Sequence, residues 1–207
     1  MIESKSMSTI EKMWINFKDF KHTYYEKPSN DFKNLLKNGQ NPKTLVIACC
    51  DSRVDPAIIF GTNPGDIFVL RNIANIVPSY NTNIKDYSTF AALEFAVIKL
   101  KIKDIVILGH SNCAGIQALI DDLHFKIKID QEFLKSWVNI NKTCTDHNKD
   151  IETVSHLSIK NSLYNLLSFP FVEKQIQRGL LKIHGWWYEI NKGELWYYNQ
   201  KHKIFMQ

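Results

Sequence analysis

The chain has 207 residues, 44% of them apolar, and 26 lysines and arginines against 21 acidic residues give a formal charge of +5. That length supplies one good core and is short for two, so a single domain is expected over residues 1–207, with residues 1–38 as a helical arm within it. The basic residues are spread singly, which reads as a solvated surface and argues against a nucleic-acid partner. No stretch approaches membrane-span length and Met1–Ile10 lacks the apolar run of a secretory leader, which argues against a membrane partner.

In chain order, Thr9–Lys21 carries apolar residues at Ile10, Met13, Trp14 and Phe17, a helical stripe too short to stand without a partner surface. Thr44-Leu45-Val46-Ile47-Ala48 and Asp104-Ile105-Val106-Ile107-Leu108 are β-branched runs without polar alternation, the pattern of strands buried on both faces of a parallel sheet. Ala114–Ile120 reads as helix. The segment from Phe125 to Asp150 is rich in Lys, Asn and Asp, with Phe133, Leu134, Trp137 and Ile140 forming one apolar stripe on an otherwise polar helix. The turn Asn191-Lys192-Gly193-Glu194, flanked by Trp187, Ile190, Trp196 and Tyr198, predicts an edge hairpin. The fold class is α/β: a mostly parallel central sheet flanked by helices, with an N-terminal helical arm and a C-terminal antiparallel hairpin.

Each of the two apolar strands ends in a cluster of reactive residues: Cys49-Cys50-Asp51-Ser52-Arg53 after the first and Gly109-His110-Ser111-Asn112-Cys113 after the second. Taken singly, a cysteine or histidine here would be a core residue. Together they offer three zinc ligands, Cys49, His110 and Cys113, and a three-ligand set leaves the fourth position open, as catalytic rather than structural zinc requires. Alternation on an extended segment puts Cys49, Asp51 and Arg53 on one face, so Cys50 is expected in the packed interior behind them. Cys113 is expected at a helix N-terminus, which favours its thiolate. Adjacent cysteines are no C-x-x-C redox pair, and Cys144, in a polar segment, reads as a lone thiol. Zinc-type cysteines outside disulfides point to a reducing cytoplasm.

These motifs resemble those of the β-class carbonic anhydrases, whose signatures C-x-D-S-R and G-H-x-x-C stand here as residues 49–53 and 109–113. Asn63–Asn75, Ser162–Leu166 and Leu180–Tyr188 are also similar to that family, so the likeness runs from about Phe20 to about Tyr198. It implies zinc-dependent, reversible hydration of carbon dioxide to bicarbonate by a zinc-bound hydroxide, with one Zn2+ per subunit. Asp51 would orient the nucleophile and Arg53 would keep Asp51 ionised. A related zinc hydrolase of carbon disulfide or carbonyl sulfide is the alternative on the same scaffold.

Within the family the chain resembles the plant-type branch. Gln40 falls where that branch has a substrate-contacting glutamine, Phe68 matches its pocket phenylalanine, and Val46 replaces the tryptophan of the bicarbonate-regulated branch. The likeness implies a homodimer or higher even oligomer in which Gln40 enters the neighbour's site, Val54 and Phe68 make an apolar wall, and Phe95 and Ala114 line the pocket. Three departures from the pattern involve four positions. Phe95 and Lys99 stand in place of a tyrosine and histidine that pass protons outward, Ala114 replaces a glycine, and Phe90 is bulkier than usual. Neither Phe95 nor Lys99 relays a proton near neutral pH, leaving water, external buffer, or a histidine such as His147 or His156.

Overall fold

The computed structural model describes residues 7–81, 87–125, 130–145 and 150–207. It divides into two compact units, residues 1–41 and 42–207. In the first, α1 (Thr9–Lys21) starts on a capping box in which Ser8 and Glu11 satisfy each other's backbone amides, then continues as a π turn over His22–Glu26. Helix α2 (Asn30–Asn38) is capped by Ser29 and stops at Gly39, whose φ of 78° suits a residue without Cβ. Phe20, Tyr24, Tyr25 and Phe32 form a small aromatic cluster, with Tyr24 and Phe32 centroids 5.0 Å apart. The expected stripe is on the outside: Ile10, Met13, Trp14 and Phe17 are all exposed, and α1 buries no residue.

The second unit is built on six strands, β1 (Thr44–Cys49), β2 (Ile67–Asn72), β3 (Asp104–His110), β4 (Lys182–Glu189), β5 (Glu194–Asn199) and β6 (Ile204–Met206). Their order is β2-β1-β3-β4-β5-β6; the first four are parallel, and β5 and β6 add antiparallel. The predicted hairpin is β4–β5, with Trp187 opposite Trp196, and β6 extends it by a strand that sequence reading did not anticipate.

Both faces of the parallel strands are covered, which is why the runs show no alternation. Leu45, Ile47, Ile105 and Ile107 face α4 (Tyr87–Glu94, continuing as a π turn over Phe95–Leu100), α7 (Ile151–Leu166) and α8 (Pro170–Gln177). Val46, Ala48, Val106 and Leu108 face the other way, against Phe60, Ile67, Trp186 and Tyr188. Helix α7 lies very close to the sheet. A Cβ at Gly109 or Gly185 would stand 2.6 or 2.8 Å from Ile159, so these glycines set the gap between helix and strand. Phe90 meets Phe169 edge-on at 5.0 Å, so its bulk fills the core.

The chain runs from β1 to a neighbour on one side and then crosses to β3 on the other. Ligands bind open α/β sheets beyond the carboxyl ends of strands at such a reversal. Cys49 ends β1 and His110 ends β3.

Candidate metal centre

The short loop after His110 leads into α5 (Ala114–Ile120), with Cys113 as its N-cap residue. Cys49 Sγ, Cys113 Sγ and a ring nitrogen of His110 thereby converge, all within 4.8 Å of one another and all buried. This is the predicted trio. The sulfurs are 3.9 Å apart; two thiolates each about 2.3 Å from a tetrahedral zinc would stand about 3.8 Å apart. His110 Nδ1 donates to the Ser111 carbonyl at 2.8 Å, which leaves Nε2 with its lone pair. That Nε2 is buried without a protein hydrogen-bond partner. A soft dication satisfies this donor set, so the residues fit zinc.

Proton chemistry agrees. Hydrogen bonding from Cys113 pulls the Cys49 thiol far below its usual value, while the same contact and burial push Cys113 up. The opposed shifts describe one shared proton: the pair releases the first readily and holds the second. A metal dication takes the place of that second proton, so metal uptake strengthens as pH rises.

Beside the trio, Arg53 grips Asp51 with both arms of its guanidinium, Nε to Oδ1 at 2.9 Å and Nη2 to Oδ2 at 2.6 Å, and its own amide donates to Oδ1 at 3.0 Å. These contacts hold the Asp51 carboxyl well below the usual carboxylate range. Behind the turn, Arg71 of β2 donates to the carbonyls of Cys49 (2.9 Å) and Asp51 (2.7 Å) and pairs with Asp55 at 2.8 Å. Asp55 in turn caps α3 (Pro56–Ile59). After β2, Ala74 and Asn75 adopt left-handed φ values of 59° and 48°, and the Ala74 amide points at Cys49 Sγ, 3.4 Å away. Trp137 Nε1 holds that bend through the Ile73 carbonyl at 2.8 Å. Sequence reading missed Arg71, Ala74 and Trp137; an arginine three residues after Phe68, directly after four apolar strand residues, was the one available signal.

Other expectations divide. Val54 is fully buried and packs in one cluster with Cys49 and Cys113. Ala114 is exposed at the first turn of α5. Phe68 pairs in register with Leu45, four residues before Cys49, or about 13 Å along the strand at about 3.3 Å per residue. Its ring faces that of Phe95 at 6.0 Å, so within one chain neither phenylalanine joins the trio. Gln40 belongs to the N-terminal unit and is exposed.

Three expectations are corrected. Cys50 is exposed, not interior: β1 has ended at Cys49, and the packed cluster on that side of the strands stops at Ala48 and Leu108. Phe133, at 89% exposure, leaves the apolar stripe, because the buried arc of α6 (Glu132–Val138) is centred on Leu134, Trp137 and Val138. His156 is unsuited to proton export. Burial and nearby Lys160 push it down to about 4, with Trp187 edge-on to its ring and Phe205 stacked on it. Cys144 is buried despite its polar surroundings, and His147 lies outside the described residues.

A profile of the carbonic anhydrase family matches residues 44–195. The β-carbonic anhydrase 5 of Arabidopsis thaliana, a chloroplastic protein, is 38% identical over 189 residues; the match takes in 84% of this chain, which spans 60% of that relative's length. Among solved structures, the β-carbonic anhydrase CcaA superposes with a TM-score of 0.87 at 29% identity, over 96% of this chain and 99% of the other. One of two tetrameric β-carbonic anhydrases from Sordaria macrospora gives 0.73 at 29% identity, over 96% and 95%. Fold and sequence are thus shared along nearly the whole chain, which belongs to the β-class carbonic anhydrases, zinc enzymes that hydrate carbon dioxide reversibly.

Proposed function

We propose that in this chain Cys49, His110 and Cys113 hold one zinc ion, and that Asp51, gripped by Arg53, is the group that orients the nucleophile toward carbon dioxide. The observation that carries this is the pairing of a three-donor set with a doubly hydrogen-bonded carboxylate one residue beyond Cys50. A structural zinc site has no use for the second element. Zinc, when bound, supplies an acidified water at neutral pH. Asp51, ionised throughout the working range, accepts a hydrogen bond and fixes direction. Arg53 keeps that carboxylate from turning to the cation. Val54 and the buried surroundings of Cys49 and Cys113 keep bulk water out. Stopped-flow carbon dioxide hydration and zinc content, measured on the same samples before and after chelation and zinc re-addition, test this; hydration that persists at full rate in metal-free protein overturns it.

The pocket is completed by a second copy. Phe68 and Phe95 are substrate-side residues that one chain does not bring to its own trio, and the exposed stripe of α1 offers a surface for assembly. The enzyme is therefore a homodimer or a higher even oligomer, with Gln40 donating to bicarbonate across the interface. Val46, packed between Val69 and Val106 in the sheet register, fits a plant-type enzyme without the regulatory bicarbonate site. Its four cysteines, none in a disulfide, favour a reducing compartment such as the cytoplasm.

A further inference from the structure

At the opposite end of the sheet from the metal ligands, the last turn of the α4 extension, the approach to β3 and the end of α8 enclose a cavity of about 500 Å³. Its walls are of two kinds. Ile98, Ile102 and Leu180 supply apolar surface, and Lys101, Lys103 and Arg178 supply positive charge; no acidic residue lines it. Among the described residues none of the three cations is in an ion pair. The backbone holds them there by geometry: Lys101 takes a left-handed φ of 52° to end the helix, Lys103 bonds through its amide to the Lys43 carbonyl and through its carbonyl to the Lys182 amide, and Arg178 precedes Gly179, whose φ of 69° ends α8.

Ordinary surface lysines stand apart over solvated ground. Here three cations surround an apolar hollow whose volume falls within the range of small-molecule sites, about 300–1,000 Å³. An anionic group would meet these charges, and a hydrocarbon body would fill the apolar hollow. Arg178 can meet a carboxylate through two parallel N–H bonds, while Lys101 and Lys103 act as point charges. We propose that this cavity binds an amphipathic organic anion, a carboxylate on a hydrocarbon body of medium length, at a site separate from the metal centre. Cys49 and His110 lie at the carboxyl ends of β1 and β3, whereas Lys103 immediately precedes β3, so the strand's full length separates them.

The test uses the zinc-loaded, full-length protein and octanoate as probe, by isothermal titration at fixed low salt, with octanol and octylammonium as matched controls. Octanoate is expected to bind, octanol more weakly and octylammonium not at all. Arg178→Gln is expected to weaken octanoate on the order of tenfold, as loss of a charge-assisted hydrogen bond does. Leu180→Trp, which fills the hollow, is expected to abolish binding; both positions are exposed, and carbon dioxide hydration by both variants is expected to match the parent. Octanol binding as tightly as octanoate, octanoate affinity unchanged in both variants, or binding that disappears when zinc is removed and returns with it, would each overturn the proposal. The last result would place the probe on the metal.

Discussion

Arg71 Nη2 donates to the Asp51 carbonyl at 2.7 Å, so the backbone of the residue that Arg53 grips by its side chain is held from behind by a second arginine. Two guanidiniums thus fix one aspartate in both position and charge. Arg71→Met should remove the hydrogen bonds to the Cys49 and Asp51 carbonyls and destabilise the fold by about 1–3 kcal/mol, the cost of stranding such acceptors. Turnover should fall more than zinc content, since Cys49 keeps its place in the β1 ladder. Denaturant melts and zinc analysis on the same variant check this; an unchanged midpoint with normal turnover would show the clamp to be idle.

The adjacent cysteines should behave oppositely. Cys49→Ser is expected to lose zinc and at least about a hundredfold in activity, more than the ten- to hundredfold typical of residues that only support metal ligands. Cys50→Ser, at an exposed position, should keep both near the parent level. Elemental analysis after dialysis decides between them.

Arg53→Ala leaves Asp51 ionisable but unrestrained. Its carboxyl, now well below the usual range, should rise toward the ordinary value near 3.8 while staying charged at working pH. Zinc content should hold. Activity should drop on the order of tenfold to a hundredfold, most of all at low pH, where a free carboxylate competes best for the cation. Because the Asp51 shift is downward, the stability it contributes is present above about pH 3.8 and is lost as pH falls below that value. Half-exposed Arg53 screens that contribution. The pH profile of hydration is the measurement, and a profile parallel to the parent's would make the pair merely structural.

Proton export should depend on solvent. Phe95 and Lys99 cannot relay, and His156, at about 4, stays neutral at working pH. Turnover at saturating carbon dioxide should therefore climb with the concentration of an imidazole-type buffer while kcat/KM does not. Phe95→Tyr with Lys99→His should flatten that climb. A parent rate independent of buffer would mean that another group serves.

His156 makes its own pH signature. Its folded value lies below the unfolded one, so the unfolded chain binds the extra proton and stability declines as pH falls from about 6.5 toward 4. His156→Phe, stacking in the same place between Trp187 and Phe205, should remove that part of the slope. Thermal melts at pH 7 and pH 5 on both proteins measure it.

Much of this centre was legible because its donors sit at the ends of two uninterrupted apolar runs, where strand identity and strand ending are read together. Arg53 meets Asp51 across a turn that the Val54 amide closes on the Asp51 carbonyl, a geometry that alternation does not describe. Cys50 was misplaced because alternation gives direction but not whether a covering layer still exists at that height. Ala74 was hidden for another reason: its amide reaches Cys49 through a left-handed bend that no residue type announces. Arg71 and Trp137 act on carbonyls 20 and 64 residues away, contacts that depend on the register of assembled elements rather than on local pattern.

Ile159 touches the space above both Gly109 and Gly185, and one turn before it on α7 Ser155 donates to the His110 carbonyl at 3.2 Å. The height of a metal ligand is therefore calibrated by a branched side chain on a helix that contributes no ligand. A methyl added at Gly109 would lift that helix and slacken the histidine, and trimming Ile159 to valine or alanine would let it settle again. Positions 109, 159 and 185 form a three-way spacer, and change at one should be tolerated chiefly in the company of change at another.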